Sequence, residues 1–385
     1  MLNKIKPKAL FIINSIGYGG AERALVNILY LQDLYSTYDV HLVLLDDEPL
    51  VREIPVQITV HVLDSKRSLL KSLYNLFLFC RTLKPAICIS FLVRANISNI
   101  LIGKILGPYP TIICERMHLD SHLNSQFTGI KRRLAKMLPK LIYKHATQVL
   151  GVSTGVTKNL NEDFNVPEYK SSTIFNPYNV AQIEELGALP SELDIPDNFI
   201  ISVGRLTNSK NFECLIDAYL CSDETVPLVI LGTGNKENEL RSYIERNDIE
   251  DRIKLIGYAN NPFSIISKAK YFVSASLNEG FPNAMLEAMV LKKAIVMSNC
   301  PSGPAEILHD DPDFMSDSLT QAKFGILVPI NDTATLTKAI NLFQNNAIRE
   351  KYSNLAKLRS QNFEIKNITQ QYWNFISLTL QKFRK

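Results

Sequence analysis

At 385 residues, with 46% hydrophobic and 21% charged residues and a net charge of +4, the chain is too long for one ordinary core. Mean hydropathy is zero. No apolar run reaches the roughly 18 residues of a membrane-spanning helix, so the sequence argues against such a helix and favours two soluble globular domains.

The start, residues 1–16, imitates a signal peptide with lysines before a short apolar run. The following Gly17-Tyr18-Gly19-Gly20-Ala21-Glu22-Arg23 reads instead as a turn and a helix, so Ala9–Asn14 is expected to be a retained first strand. Glycines there let backbone approach an anion, but Glu22 stands where the dinucleotide-binding pattern needs its third glycine. Val40–Leu45, Ala86–Phe91, Thr111–Cys114 and Gln148–Gly151 are the next candidate strands. Glu115-Arg116-Met117-His118 follows the fourth, and its strand-end position makes His118 a candidate. Between Lys131 and Lys144, basic and apolar residues alternate at helical spacing. That pattern suits contact with an anionic lipid surface, and equally an ordinary surface helix. Residues 1–180 hold 21 Lys/Arg against 13 Asp/Glu, whereas residues 181–385 hold 21 against 25.

A hinge is expected near Asn176-Pro177, with a loop-prone stretch to about Pro196. Beyond it, Phe199–Val203, Leu228–Leu231, Ile253–Ile256, Tyr271–Ser274, Ala294–Ser298 and Gly325–Val328 are six candidate strands. Short strands alternating with helices predict right-handed βαβ units and a doubly wound α/β domain in each half. The tail repeats an apolar face at Ile365, Ile368, Tyr372, Phe375 and Ile376, a helical pattern. Six cysteines (80, 88, 114, 214, 221, 300) show no metal-ligand or redox spacing, which fits reduced thiols in the cytosol.

Candidate chemistry gathers at strand ends, where doubly wound domains bind ligands. Gly204-Arg205-Leu206 and then Lys210-Asn211 place two cations five apart, suited to a diphosphate. As an exposed lysine, Lys210 has little packing to lose. Leu231-Gly232-Thr233-Gly234 and Gly257-Tyr258 could let a base slide against backbone, or be plain turns. Glu279-Gly280-Phe281-Pro282-Asn283 reads as a phosphate-ready loop entering a helix, with Pro282 in its first turn. Glu287 lies one turn inside, where its carboxylate can accept both hydrogens of a ribose diol. Cys300-Pro301-Ser302-Gly303-Pro304-Ala305-Glu306 forms a shaped loop, and Asp311-Pro312-Asp313 reads as solvated rather than metal-binding.

Taken in order, Gly19-Gly20-Ala21-Glu22-Arg23, Gly151-Val152-Ser153, Asn176-Pro177, Gly204-Arg205 with Lys210-Asn211, Leu231-Gly232-Thr233-Gly234 and Glu279-Gly280-Phe281-Pro282-Asn283 with Glu287-Ala288-Met289 resemble glycosyltransferase family 4. The resemblance covers nearly the whole chain and is most specific in the second half. It implies a GT-B fold, two Rossmann-like domains facing across a cleft, with the C-terminal helix crossing back to the first. The domains are expected at residues 1–178 (acceptor-binding), 179–365 (nucleotide-sugar-binding) and 366–385 (the returning helix). It further implies retaining transfer from a nucleotide-sugar, with no essential metal and no cofactor. Arg205 and Lys210 would grip the donor diphosphate, Glu287 the ribose, and Glu279 the donor sugar. Gly19 and Gly20 would approach the distal phosphate and His118 would lie beside the sugar. Gly204, Gly234, Tyr258, Gly280, Phe281, Pro282 and Asn283 would line the donor site.

The loop Cys300–Pro304 is similar to those of bacterial hexosaminyltransferases, with Ser302-Gly303-Pro304 departing from the commoner Gly-Gly. This favours UDP-GalNAc or UDP-GlcNAc as donor. A lipid-linked saccharide acceptor is implied, in polysaccharide, lipopolysaccharide, O-antigen or protein-glycan assembly. The setting is cytoplasmic, peripheral to the anionic inner face of the membrane, with no nucleic-acid partner. A UDP-sugar epimerase on the same fold and a non-catalytic nucleotide-sugar-binding partner are the alternatives.

Overall fold

The computed structural model describes residues 6–30, 34–107 and 109–384; residues 1–5, the start of the signal-peptide-like stretch, lie outside them. The chain divides into two compact units, Met1–Tyr178 with Ile365–Lys385, and Asn179–Glu364.

The first unit is built on seven strands: β1 (Lys8–Ile13), β2 (Asp39–Leu44), β3 (Thr59–Val62), β4 (Ile87–Phe91), β5 (Thr111–Glu115), β6 (Gln148–Gly151) and β7 (Ser171–Thr173). Their order is β3-β2-β1-β4-β5-β6-β7, and every pairing is parallel. β1, β2, β4 and β5 are almost wholly buried, as a sheet covered on both faces requires. Alternation divides β1 between two cores. Ala9, Phe11 and Ile13 enter the cluster shared with the helices Gly20–Leu29 and Ile365–Arg384, while Leu10 and Ile12 face Leu76, Cys80 and Ile102.

The C-terminal helix therefore belongs to the first unit. Ile368, Tyr372, Trp373, Ile376 and Leu380 repeat at helical spacing and are all buried. Trp373 packs 5.6 Å from the Phe11 ring and donates its indole N–H to Ile28 O (3.3 Å), and Tyr38 and Ser377 hydroxyls meet at 2.8 Å.

The second unit holds β8 (Ile200–Val203), β9 (Leu228–Leu231), β10 (Ile253–Gly257), β11 (Phe272–Ser274), β12 (Ile295–Ser298), β13 (Thr320–Gln321) and β14 (Ile326–Val328). The order is β10-β9-β8-β11-β12-β14-β13, parallel except for the short antiparallel β13 at one edge. Both units are thus doubly wound, with order reversal between β1 and β4 in one and between β8 and β11 in the other.

One expectation is corrected. The stretch after Asn176-Pro177 is not loop throughout, because Val180–Gly187 is a helix capped by the Asn179 side chain, which accepts from Gln182 N at 3.1 Å. Val180 and Ile183 are buried, and a Cβ on Gly187 would fall 2.5 Å from Leu291 Cδ2, so close packing holds the helix.

Candidate functional site

In the second unit the carboxyl ends of β8 to β12 bring separate segments together. Gly204 N donates to Leu231 O (3.0 Å), and Leu206 N to Thr233 O (2.9 Å), lacing the loop after β8 to the loop after β9. Gly232 has φ +145°, and a Cβ there would lie 2.0 Å from Gly204 O, so only glycine permits this approach. Arg205 stands exposed beyond the strand, and Tyr258 is also exposed, just after Gly257.

Lys210 closes a short 3-10 turn, Asn208–Lys210, and its stem lies across Gly204, where a Cβ would be 3.1 Å from Lys210 Cε. Leu277 N donates to Ser209 O (2.8 Å), tying this turn to the segment that carries Glu279. The consequence is an ion pair: Lys210 Nζ lies 2.5 Å from Glu279 Oε1, with the two side chains 21% and 11% exposed. Lys210 is therefore not the exposed lysine the sequence suggested. Its stem is packed and its charge has a partner in Glu279.

The helix after Glu279 runs over Asn283–Val290, with Pro282 as its N-cap at φ −77° and ψ 79°, one position before the expected first turn. Asn283 opens the helix, and Glu287 sits one turn inside it, 4% exposed. Phe281 is buried, its ring 5.6 Å from that of Phe363, so its side chain serves packing and leaves its backbone to shape the loop. The loop after β12 braces Glu279 and Gly280 from behind: Ser302 Oγ donates to Glu279 O. Gly303 has φ +98°, and a Cβ there would meet Pro282 Cδ at 2.4 Å. Gly303 N donates to Glu306 Oε1 (3.0 Å), which starts the helix Pro304–Leu308. Burial, reinforced by the Glu279 charge, pushes the Cys300 thiol up, so this cysteine stays an un-ionised wall.

In the first unit, Gly19 is the N-cap of the helix Gly20–Leu29. A Cβ on Gly19 would fall 2.2 Å from Glu22 Oε2, so the chain's own carboxylate occupies the space beside that loop. His118 caps the helix Leu119–Gln126, its Nδ1 accepting from Ser121 N (3.4 Å) and lying 2.8 Å from Ser121 Oγ. Burial holds its imidazole below the usual histidine range. The neighbour that sequence reading passed over is Glu115, which is 1% exposed. Tyr143 OH donates to its Oε2 (2.9 Å) and Arg116 N to its Oε1 (3.0 Å), yet burial outweighs both and raises the carboxyl to about 7. Arg116 points elsewhere, donating to Tyr372 OH (2.7 Å) and to Asn176 Oδ1.

Asp311 and Asp313 are exposed, and Asp311 Oδ1 accepts from Asp313 N (3.0 Å), a local turn. Among the described residues no group of three His, Cys, Asp or Glu side chains could hold a metal ion, and all six cysteines are free.

The family described as "Glycosyl transferases group 1" matches residues 190–359. The chain is 30% identical over 366 residues to the Campylobacter jejuni N-acetylgalactosamine-N,N'-diacetylbacillosaminyl-diphospho-undecaprenol 4-alpha-N-acetylgalactosaminyltransferase, covering 91% of this chain and 94% of that protein. A second Campylobacter jejuni enzyme, a GalNAc-alpha-(1->4)-GalNAc-alpha-(1->3)-diNAcBac-PP-undecaprenol alpha-1,4-N-acetyl-D-galactosaminyltransferase, is 26% identical over 386 residues, covering 96% of this chain and 98% of that one. Among solved structures, Anabaena HepE in complex with UDP superposes with a TM-score of 0.72 at 18% identity, covering 96% of this chain and 99% of that one. Sucrose-phosphate synthase from Thermosynechococcus elongatus gives 0.76 at 16% identity, covering 98% and 100%. These two likenesses show the GT-B fold.

Proposed function

Because the chain belongs to the group 1 glycosyl transferases, we propose that it moves an N-acetylhexosamine, GalNAc or GlcNAc, from a UDP-sugar onto a lipid-linked saccharide, with retention and without a metal. The observation that supports this reading best is the second unit's meeting of Arg205, the Lys210–Glu279 pair and the Glu287-bearing helix at the carboxyl ends of one sheet. A diphosphate there would exchange the Lys210–Glu279 contact for contacts of Lys210 and Arg205 with phosphate oxygens. That would free Glu279 for the donor sugar's hydroxyls. Glu287 takes the ribose hydroxyls, and Gly204, Gly234, Tyr258 and the Gly280–Asn283 loop line the nucleotide. Gly19, Gly20 and His118 of the first unit serve the distal phosphate and the sugar. In the step itself the bond from sugar C1 to the β-phosphate oxygen breaks. The acceptor oxygen bonds to C1 on the same face, and its proton passes to the departing phosphate, whose charge the two cations stabilise. Relatives named for transfer onto undecaprenol-linked glycans support the acceptor class, and we assign the acceptor to the first unit and the donor to the second.

Contact with an anionic membrane surface is part of the same proposal. The helix Gly129–Ile142 leaves Ile130, Leu134, Met137 and Leu141 from 50% to 74% exposed, a single apolar stripe flanked by exposed Lys131, Arg132, Arg133 and Lys140. An ordinary surface helix turns such a stripe inward, whereas this one suits the headgroup layer. Among the described residues no helix is long and apolar enough to cross a membrane. Peripheral attachment at the inner face is the arrangement proposed. Flotation with vesicles containing phosphatidylglycerol tests it, since binding must need the anionic lipid and must weaken in Leu134→Glu.

Labelled UDP-GalNAc and UDP-GlcNAc, each incubated with undecaprenyl-diphosphate-linked saccharides, test the transfer. Label must pass to the lipid. Conversion without acceptor, or binding alone, would overturn the reading.

A further inference from the structure

The first unit contains a cavity of about 420 Å³ that none of the roles above uses. Asn14, Leu92, Arg94, Ile97, Glu115 and Met117 line it, so it opens at the carboxyl ends of β1, β4 and β5, where the strand order reverses. Two arginines and His122 also border it, and each arginine is engaged by a carboxylate. Arg94 grips Asp46 with both terminal nitrogens, Nη1 at 3.1 Å from Oδ1 and Nη2 on Oδ2. Arg67 donates Nε and Nη2 to Glu48 Oε1 (3.0 and 2.8 Å), and its backbone N–H to Asp46 Oδ1 (2.8 Å).

What remains unsatisfied is acceptor capacity. Asn14 Oδ1 is buried with no hydrogen-bond partner. The Glu115 carboxyl, when ionised, has about four lone-pair sites. Tyr143 OH and Arg116 N account for two. Leu69, Leu92, Val93, Ile97 and Met117 supply the apolar wall between these polar groups. Acceptors beside apolar walls, with both arginines already held by carboxylates, suit a neutral ring carrying O–H and amide N–H donors.

We propose that this cavity receives the uncharged terminal N-acylated sugar of the acceptor, that Glu115 is its specificity-determining hydrogen-bond acceptor, and that the acceptor's diphosphate is held outside it. The inference rests on the transferase reading, and its test is separable from that reading. The probes are p-nitrophenyl glycosides of N-acetylgalactosamine and N-acetylglucosamine, titrated by saturation-transfer NMR into the full chain with UDP present. One of them binds saturably, and inorganic pyrophosphate does not displace it. Glu115→Gln replaces an acceptor by an amide at constant shape, and Met117→Trp fills the cavity while leaving Glu115 itself in place. Each weakens the glycoside at least tenfold while leaving UDP affinity unchanged, and in the transfer assay raises the acceptor KM with the donor KM constant. Absence of glycoside binding, wild-type affinity in both variants, or displacement by pyrophosphate overturns the proposal. Failure of UDP itself to bind would instead strike the transferase reading.

Discussion

Lys210 Nζ and Glu279 Oε1 lie 2.5 Å apart although 69 positions separate them in sequence. The pair joins the cation proposed for the leaving diphosphate to the carboxylate proposed for the sugar. It forms because Leu277 N donates to Ser209 O, bringing the two loops edge to edge. Each charge keeps the other satisfied in a site where both are largely shielded from water.

Removing Lys210 consequently has two effects that can be pulled apart. Lys210→Met keeps the stem over Gly204 but leaves the Glu279 charge unpaired, at a stability cost of roughly 1–3 kcal/mol. Turnover falls by about 100-fold or more, as loss of one preorganised group at a departing charge does. Lys210→Met with Glu279→Gln regains the stability and not the activity. Thermal unfolding beside transfer rates checks this, and recovery of both together contradicts it.

Glu115 gives a pH signature. Burial raises its folded-state value to about 7 from an ordinary 4.5. Between those values the folded state binds the proton that the unfolded chain releases. The stabilisation is therefore complete below about 4.5 and lost as pH rises through about 7, on the order of 3 kcal/mol in all. Glu115→Gln cannot titrate, so wild type should lose stability relative to this variant from about pH 5 to about pH 8. Denaturant melts at several pH values measure it, and parallel curves would refute it.

Gly303→Ala should damage the donor site from behind. Its φ of +98° disfavours any side chain, and the added Cβ would meet Pro282 Cδ at 2.4 Å. The strain costs about 1–3 kcal/mol, and relief moves the Pro282 N-cap and with it the Glu287 helix. UDP affinity should drop along with stability. Unchanged UDP affinity in a destabilised variant would show that this loop does not shape the site.

Much of the doubly wound fold was legible because central strands such as Leu10–Ile13 and Ile295–Met297 are continuous apolar runs. Three sheet edges were not. β3 (Thr59-Val60-His61-Val62), β7 (Ser171-Ser172-Thr173) and β13 (Thr320-Gln321) are short and largely polar, and half-exposed edges supply no apolar signal. Glycines, cations and glutamates at strand ends stood out as candidates, but the contact between Lys210 and Glu279 did not, since only the fold brings their loops together. The cavity at Glu115 was invisible for the same reason: its lining comes from five separated segments. His118 drew notice because histidine titrates near neutrality unaided, whereas Glu115 does so only through burial that no local motif announces.

Chelation separates the charge-stabilised scheme from a metal-assisted one. EDTA should leave transfer essentially unchanged, because Arg205 and Lys210 supply the positive charge at the diphosphate. Loss of activity restored by magnesium or manganese would bring Asp311 and Asp313 back into consideration as ligands.

The most direct test of the donor site is calorimetric titration of UDP into wild type, Glu287→Gln and Glu279→Gln. The account predicts that Glu287→Gln weakens UDP by about tenfold or more, the worth of one charge-assisted hydrogen bond. Glu279→Gln should bind UDP nearly as wild type does, or slightly tighter through the freed Lys210, while losing transfer. Equal losses of UDP affinity in both variants, or none in Glu287→Gln, would contradict it.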